Sequence, residues 1–291
     1  MRGTPRRVGA LDRAGRALLI GFLVVLAPTL TAAATMPAPP LTRPQTEFDH
    51  IPELDQGVLG LGRQAYRERA DHQRGRDAYR HFKLYLQEHP QDPIAAWHFS
   101  LSCYYLGARV LDGSEERKAV FLEGREAADN ALTQHPDCGP CHLMSAINHG
   151  LWAKEIGIFR ALVGLPTVKR HLNLAVALDP EFGGAAPHRI QATIFQALPR
   201  ILGGGKNRSK DAIEKAIAVA PYEPLNYEFL AWLLLVEYDD RQGALAVAQQ
   251  GLAVPKPGYE YLESLDALEW LQKVVDAFGP KRAVVGVESG G

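Results

Sequence analysis

The sequence predicts an all-α fold, an α-solenoid of about eleven helices arranged as five helix-turn-helix repeats. Prolines recur behind five helical stretches at Pro90, Pro136, Pro180, Pro221 and Pro255, spaced 46, 44, 41 and 34 residues apart, and periods of this size mark stacked supersecondary units. Apolar residues fall at helical spacing, with no sustained period-two runs of Val, Ile and Thr that would signal strands. Of the 291 residues, 46% are hydrophobic and 22% are charged, so the chain has the apolar mass for a full core and is neither disordered nor collagen-like.

The elements follow in order. Arg2, Arg6, Arg7, Arg13 and Arg16 precede an uncharged apolar stretch from Ala17 to Leu26, then Pro28 and the small-residue run Ala32-Ala33-Ala34. A basic region, a short apolar region and an Ala-x-Ala site are the order of a bacterial secretory signal, so residues 1–34 are expected to be cleaved. The apolar stretch is shorter than the roughly 20 residues that cross a bilayer. The expected location is therefore periplasmic or secreted, with no membrane span after cleavage. Residues 35–53 include Pro37, Pro39, Pro40 and Pro44 and read as an extended linker. Residues 54–279 form the repeat domain, and residues 280–291 a flexible tail.

Within the repeats, the positions twelve before each phased proline are Ala78, Gly124, Val168, Ser209 and Gly243. Eight before stand Phe82, Ala128, Leu172, Ile213 and Val247, and four before stand Leu86, Leu132, Val176, Ile217 and Gly251. These offsets share one helical face, where small residues admit a second helix and large ones fill the space between. Each proline ends its helix because it lacks an N–H and restricts the residue before it. The next helix then opens on aromatic and small residues, as from Trp97 to Tyr104 and from Tyr227 to Leu234. This is the tetratricopeptide pattern in degenerate form, and such pairs stack into a solenoid with a concave face.

Two segments stand out from generic repeats, one from Asn148 to Pro166 and continuing to Pro180, the other from Ala197 to Gly205 and on to Ile217. Together they resemble the helical-repeat T component of tripartite (TRAP) transporters, and the first is also similar to the tetratricopeptide-like domain of the regulator of microtubule dynamics family. The transporter resemblance implies a periplasmic, all-helical protein that contacts the solute-binding protein of an organic-acid importer.

The sharpest local motif runs from His135 to His142 and contains Cys138-Gly139-Pro140-Cys141-His142. As C-x-x-C-H it matches a c-type haem attachment site, with two thioethers and a proximal His. As Cys-Gly-Pro-Cys it matches a dithiol redox pair at a helix start, although no βαβ pattern surrounds it. With His135 and His149 it could supply metal ligands. The structural alternative is a disulfide or inert thiols in an inter-repeat turn, given an oxidising compartment. Gly203 to Ser209 lacks the spacing of a phosphate loop, and Glu237, Asp239 and Asp240 read as a helix end and the next N-cap. No nucleophile or carboxylate-pair motif suggests catalysis. Trp97, Trp152, Trp232 and Trp270 are expected in packing, with Trp152 the one beside a charged stretch.

The formal net charge is −1, which argues against a nucleic-acid partner. Residues 151–210 carry a net +6 between acidic flanks. Lys154, Arg160, Lys169, Arg170, Arg189 and Arg200 belong to this midsection and, with Trp152, are the expected contacts for an acidic protein surface or a small organic anion. The expected function is a non-catalytic, exported scaffold for protein–protein interaction that needs no cofactor; the alternative is a haem or dithiol redox protein built on Cys138, Cys141 and His142.

Overall fold

The computed structural model describes residues 44, 46, 47, 49, 51–256 and 262–280; the signal expected at residues 1–34 and all of the expected tail but Pro280 lie outside them. Among the described residues eleven α-helices follow one another and no strand occurs: α1 (Gly57–Arg67), α2 (His72–Glu88), α3 (Pro93–Tyr105), α4 (Ser114–Leu132), α5 (Gly139–Ile156), α6 (Ile158–Leu178), α7 (Phe182–Ala197), α8 (Lys206–Val219), α9 (Pro224–Glu237), α10 (Arg241–Leu252) and α11 (Leu262–Phe278). A π turn over Leu106–Val110 prolongs α3, and a 3-10 turn over Arg200–Leu202 joins α7 to α8. None of the described helices is long and apolar enough to cross a membrane.

The phased prolines mark the ends of the even-numbered helices. The last residues of α2, α4, α6, α8 and α10 are Glu88, Leu132, Leu178, Val219 and Leu252, each two to four residues ahead of its proline. The side chain eight before the proline is buried in all five: Phe82, Ala128, Leu172, Ile213 and Val247. Two of the helices that follow these turns start on a carboxylate cap. Asp92 accepts from the N–H groups of Ile94 and Ala95 at 2.8 and 3.1 Å with Pro93 as the first residue of α3, and Glu223 accepts from Leu225 N–H at 3.2 Å ahead of Pro224 in α9. Asp240, expected to be an N-cap, accepts from Gly243 N–H at 2.8 Å. Side-chain oxygens here satisfy donors that the first turn leaves open, and proline costs nothing where no N–H is needed.

Every helix packs on its neighbours in sequence. The odd-numbered helices also pack on one another in succession, α1 on α3 through to α9 on α11, whereas no two even-numbered helices pack backbone against backbone. The odd-numbered row is therefore the tightly curved inner layer and the even-numbered row the spread outer layer. Long side chains bridge the outer row, as where Tyr79 Oη and Lys83 Nζ of α2 donate to Glu123 Oε2 of α4 at 2.6 and 2.9 Å.

Close approach between layers depends on small residues. At Gly124 of α4 a Cβ would lie 2.8 Å from Cys103 Cβ and 2.9 Å from the Asn148 amide, so α4 sits in the notch between α3 and α5. Ser100 Oγ donates to the Gly124 carbonyl at 2.6 Å across this contact. Cys103 is fully buried there, and burial pushes its pKa well up.

Candidate docking face

Arg63 occupies the inner face of α1. It follows Leu59 by four residues and precedes Tyr66 by three, on the same buried stripe, and is itself 2% exposed. A guanidinium has five N–H donors and no acceptor, and here its nitrogens are spread over four partner residues. Nε donates to Asp55 Oδ1 at 2.8 Å. Nη1 reaches His98 Nε2 at 2.7 Å and the Glu47 carbonyl at 3.3 Å, and Nη2 reaches the Glu47 and Asp49 carbonyls at 3.2 and 3.0 Å.

His98, on α3, has its tautomer fixed by these partners. Arg63 only donates, so Nε2 is the acceptor, and Nδ1–H donates to the Ile94 carbonyl 2.7 Å away. Burial, with the Arg63 charge adding to it, holds His98 well below the usual histidine range. Trp97 stands beside it and meets the ring of Phe182 edge-on, centroids 5.2 Å apart. Helices α1, α3 and α7 thus converge on one patch.

The α7 side of that patch is backbone. Gly183, Gly184 and Ala185 all lie in the left-handed region, with φ of 57, 63 and 63°, a conformation that glycine adopts without penalty and alanine does not. Gly183 N–H donates to Glu47 Oε1 at 2.6 Å. Arg189 secures the turn from behind, its Nη1 and Nη2 donating to the Gly184 and Gly183 carbonyls at 2.9 and 3.1 Å and its Nη1 to Asn226 Oδ1 at 2.7 Å. Burial lowers the pKa of Arg189, and Glu223 opposes that shift. A Cβ at Gly184 would meet Glu223 Cγ at 2.7 Å, so only glycine fits there.

The two ends of the solenoid also meet. Arg69, two residues past the end of α1, pairs with Glu263 of α11, and Arg109 pairs with Asp266 at 2.8 Å. Burial works against the Glu263 carboxylate, but Arg69 and Arg109 more than reverse it and its pKa falls. Arg69 lies over the Tyr66 ring at 4.1 Å, and Tyr105 Oη donates to the Arg69 carbonyl. The inner layer consequently keeps its cations inside, paired and set among aromatic rings.

The Cys138–Cys141 motif lies at the start of α5, where the two Sγ atoms are bonded to each other and Cys138 Sγ accepts the Cys141 N–H at 3.2 Å. His142 is 5% exposed and both of its ring nitrogens are engaged. Its Nε2–H donates to the Pro136 carbonyl at 3.0 Å, which leaves Nδ1 to accept from His171 Nδ1–H at 2.9 Å, and His171 Nε2 in turn accepts from Arg170 Nη2 at 3.1 Å. Burial holds both imidazoles below the usual histidine range. These residues do not fit c-type haem: Cys141 is fully buried, the thiols are paired, and His142 offers no nitrogen to an iron. No group of three or more His, Cys, Asp or Glu among the described residues could hold a metal ion.

The basic residues of the midsection do not gather in one groove. Lys154 ends α5 and Arg160 begins α6, both exposed, and Arg200 is exposed on the 3-10 turn. Lys169 Nζ donates to the Leu202 carbonyl at 2.6 Å and ties α6 to that turn, and Arg170 serves His171. Trp152 packs under Arg125, whose guanidinium is 4.9 Å from its ring. Of the six, Arg189 alone sits at the inner face. Arg63 and Arg69, which net charge by segment hides among acidic neighbours, are the cations the inner face does hold; the signal for them is a charge interrupting an apolar i, i+4, i+7 stripe.

Residues 62–185 match the family model of Regulator of microtubule dynamics protein 1-3, so the family match falls on the second of the two resemblances and not on the T component. No curated protein matches the chain. The crystal structure of a thermophilic tetratricopeptide-repeat protein from Thermus thermophilus is similar at a TM-score of 0.56 and 19% identity, covering 76% of this chain and 98% of that one. At that identity the likeness concerns the fold, and the layering found here agrees with it: the chain is an all-α, tetratricopeptide-like helical-repeat protein.

Proposed function

We propose that the protein is an exported, non-catalytic scaffold whose inner face docks a non-helical segment of a partner protein. The observation that carries this reading is Arg63, which from a buried position holds main-chain carbonyls of a non-helical stretch of polypeptide. Main-chain recognition by a buried guanidinium suits a segment outside regular helix. The Gly183 N–H, which receives the Glu47 carboxylate at 2.6 Å, suits an acidic one. A solute-binding protein would have to present such a segment to be that partner. Export rests on residues 1–34, and a mature N-terminus near residue 35, read by intact mass, tests it.

A photo-crosslinking residue at Tyr104, on inner helix α3, should capture a defined partner through an acidic, non-helical stretch. The same residue at Leu84, on outer helix α2 and 52% exposed, should not. Capture from Leu84 alone would overturn the inner face as the docking surface. A second reading, thiol–disulfide exchange at Cys138–Cys141, draws on Cys138 being half-buried at a helix N-terminus, where a thiolate is stabilised. A reduction potential below about −300 mV would mark the bond as structural and end that reading.

A further inference from the structure

The stretch that Arg63 holds is the chain's own. Glu47 and Asp49 lie ahead of α1, in the part read from sequence as an extended linker, yet they are anchored at two places far apart in sequence. Their carbonyls accept from Arg63 on α1 at 3.0 to 3.3 Å, and Glu47 Oε1 accepts from Gly183 N–H on α7 at 2.6 Å. A local turn shapes the stretch, with Thr46 N–H donating to Asp49 Oδ2 at 2.6 Å and Asp49 N–H donating to the Thr46 carbonyl at 3.1 Å. The receiving side is built for it. Arg63 is buried and committed, and Arg189 and Asn226 hold the carbonyls of the left-handed turn, which fixes the orientation of the turn that offers Gly183 N–H.

We infer that this segment is a strap seated in the docking face, and that the partner of the scaffold is an acidic peptide which takes the same seat, in the same local turn, by displacing it. The inference rests on the docking reading above and specifies its ligand. The incoming segment presents two main-chain carbonyls to Arg63 and a carboxylate to Gly183 N–H, as Glu47 and Asp49 do. A tethered strap competes at an effective concentration in the millimolar range for a short flexible tether, so it sets a threshold that only a better-matched or locally concentrated segment passes. The bonds it makes are charge-assisted or to a buried guanidinium, which makes the loss of the Glu47 carboxylate alone a tenfold-scale effect.

The test uses the full chain and a fluorescent peptide of its own residues 43–51, Arg-Pro-Gln-Thr-Glu-Phe-Asp-His-Ile. The peptide should bind the Glu47→Ala chain about tenfold more tightly than the native chain. Amide exchange gives a local reading that does not depend on affinity. Gly183 N–H should exchange faster in Glu47→Ala than in the native chain while α3 and α9 keep their protection, and added peptide should restore it where a peptide carrying Glu47→Ala does not. Equal peptide affinity for the two chains, or no binding to either, overturns the strap, as does unchanged exchange at Gly183. If Tyr104 crosslinks a partner equally in native and Glu47→Ala chains, the docking face stands and the strap as its gate is overturned; if capture shifts to the outer layer in both, the docking reading itself falls.

Discussion

Helix α3 of the inner layer buries every residue from Ala95 to Cys103, whereas α2 of the outer layer buries Gly75, Ala78 and Phe82 alone. The first pattern leaves only positions near the helix ends to solvent, Tyr104 among them, and the second is a single stripe at i, i+3 and i+7. An inner helix meets partners on all sides, so most polar side chains it carries are paired within the protein, as His98, Ser100 and Asn226 are, while Asn148 donates through Nδ2 and its buried Oδ1 has no hydrogen-bond partner. An outer helix keeps its charges in water, where pairs such as Arg80–Asp77 and Lys118–Glu115 contribute little. The difference shows where the solenoid keeps its chemistry: buried cations and fixed imidazoles lie on the inner row and its immediate neighbours, and the outer row supplies anchoring.

If outer helices hang on a few side chains, removing one should cost most. Phe82 is fully buried and sits against Gly62 of α1, where a Cβ would lie 2.6 Å from its ring. Phe82→Ala should destabilise the protein by about 3–5 kcal/mol in urea unfolding, because no neighbour can fill the space. A loss below about 1 kcal/mol would mean that α2 is held by something other than its stripe.

The next comparison sets a buried ion pair against an exposed one. Arg69→Met leaves Glu263 half-buried without its partner and should cost about 2–3 kcal/mol, less than a fully buried pair because Glu263 keeps some solvent. Lys83→Met, which breaks the exposed pair with Glu123 on the outer row, should cost about 0–1 kcal/mol. A double-mutant cycle with Glu263→Gln separates the pair from the packing of the Arg69 stem on Tyr66. Equal losses at Arg69 and Lys83 would erase the distinction between the layers.

The outer layer was the legible one. Its single stripe and terminal proline recur as a sequence pattern, so Phe82, Ala128, Leu172, Ile213 and Val247 could be placed before any contact was known. Inner helices α3, α5 and α9 are apolar nearly all round, and a helix without a polar face has no phase to read. On α1 the stripe through Leu59, Arg63 and Tyr66 is readable, but segment charge drew attention instead to Lys154, Arg160 and Arg200, which lie on exposed turns and helix ends. The pairing of α1 with α11 through Arg69 and Glu263 joins residues 194 apart, a distance no local pattern encodes. The left-handed turn at Gly183-Gly184 was visible only as two adjacent glycines.

Two further measurements probe the junction between the layers at α5 and α6. The Cys138–Cys141 bond closes a loop of sequence separation 3, and closing so short a loop removes little unfolded-state entropy. Reduction, or the double variant Cys138→Ser/Cys141→Ser, should therefore cost at most about 2 kcal/mol, read as a lowered melting temperature with helical content unchanged. A complete loss of folding would show that the bond organises α5 and does not merely fasten its first turn.

His98, His142 and His171 all have pKa values held below the ordinary histidine range by burial. The unfolded chain therefore binds more protons than the folded one as pH falls through the unfolded histidine value near 6.5. Their contribution to stability is complete above that pH and is lost below it. Melting temperature should be flat from pH 8 to 7 and fall toward pH 5. His171→Gln should flatten part of that fall, since protonated His142 would no longer face a second imidazole. A fall of the same size in the variant would place the titration elsewhere.

The smallest effect is expected from the exposed cations that sequence alone put forward. Lys154 and Arg160 flank the break between α5 and α6 and are both exposed. Replacing both by Ala should move stability by less than about 0.5 kcal/mol, as for surface positions that carry no cap and no buried contact. Under the docking reading proposed above, their influence on association is long-range attraction, which salt screens over about 8–10 Å at 0.1–0.15 M. The double variant should thus slow association slightly at low salt and match the native protein at 0.5 M, whereas Arg63→Gln, which removes a buried guanidinium from the docking face, should weaken binding at both. Salt-independent weakening by Lys154→Ala/Arg160→Ala would instead show direct contact, and would move part of the docking surface from the inner layer to the turn between α5 and α6.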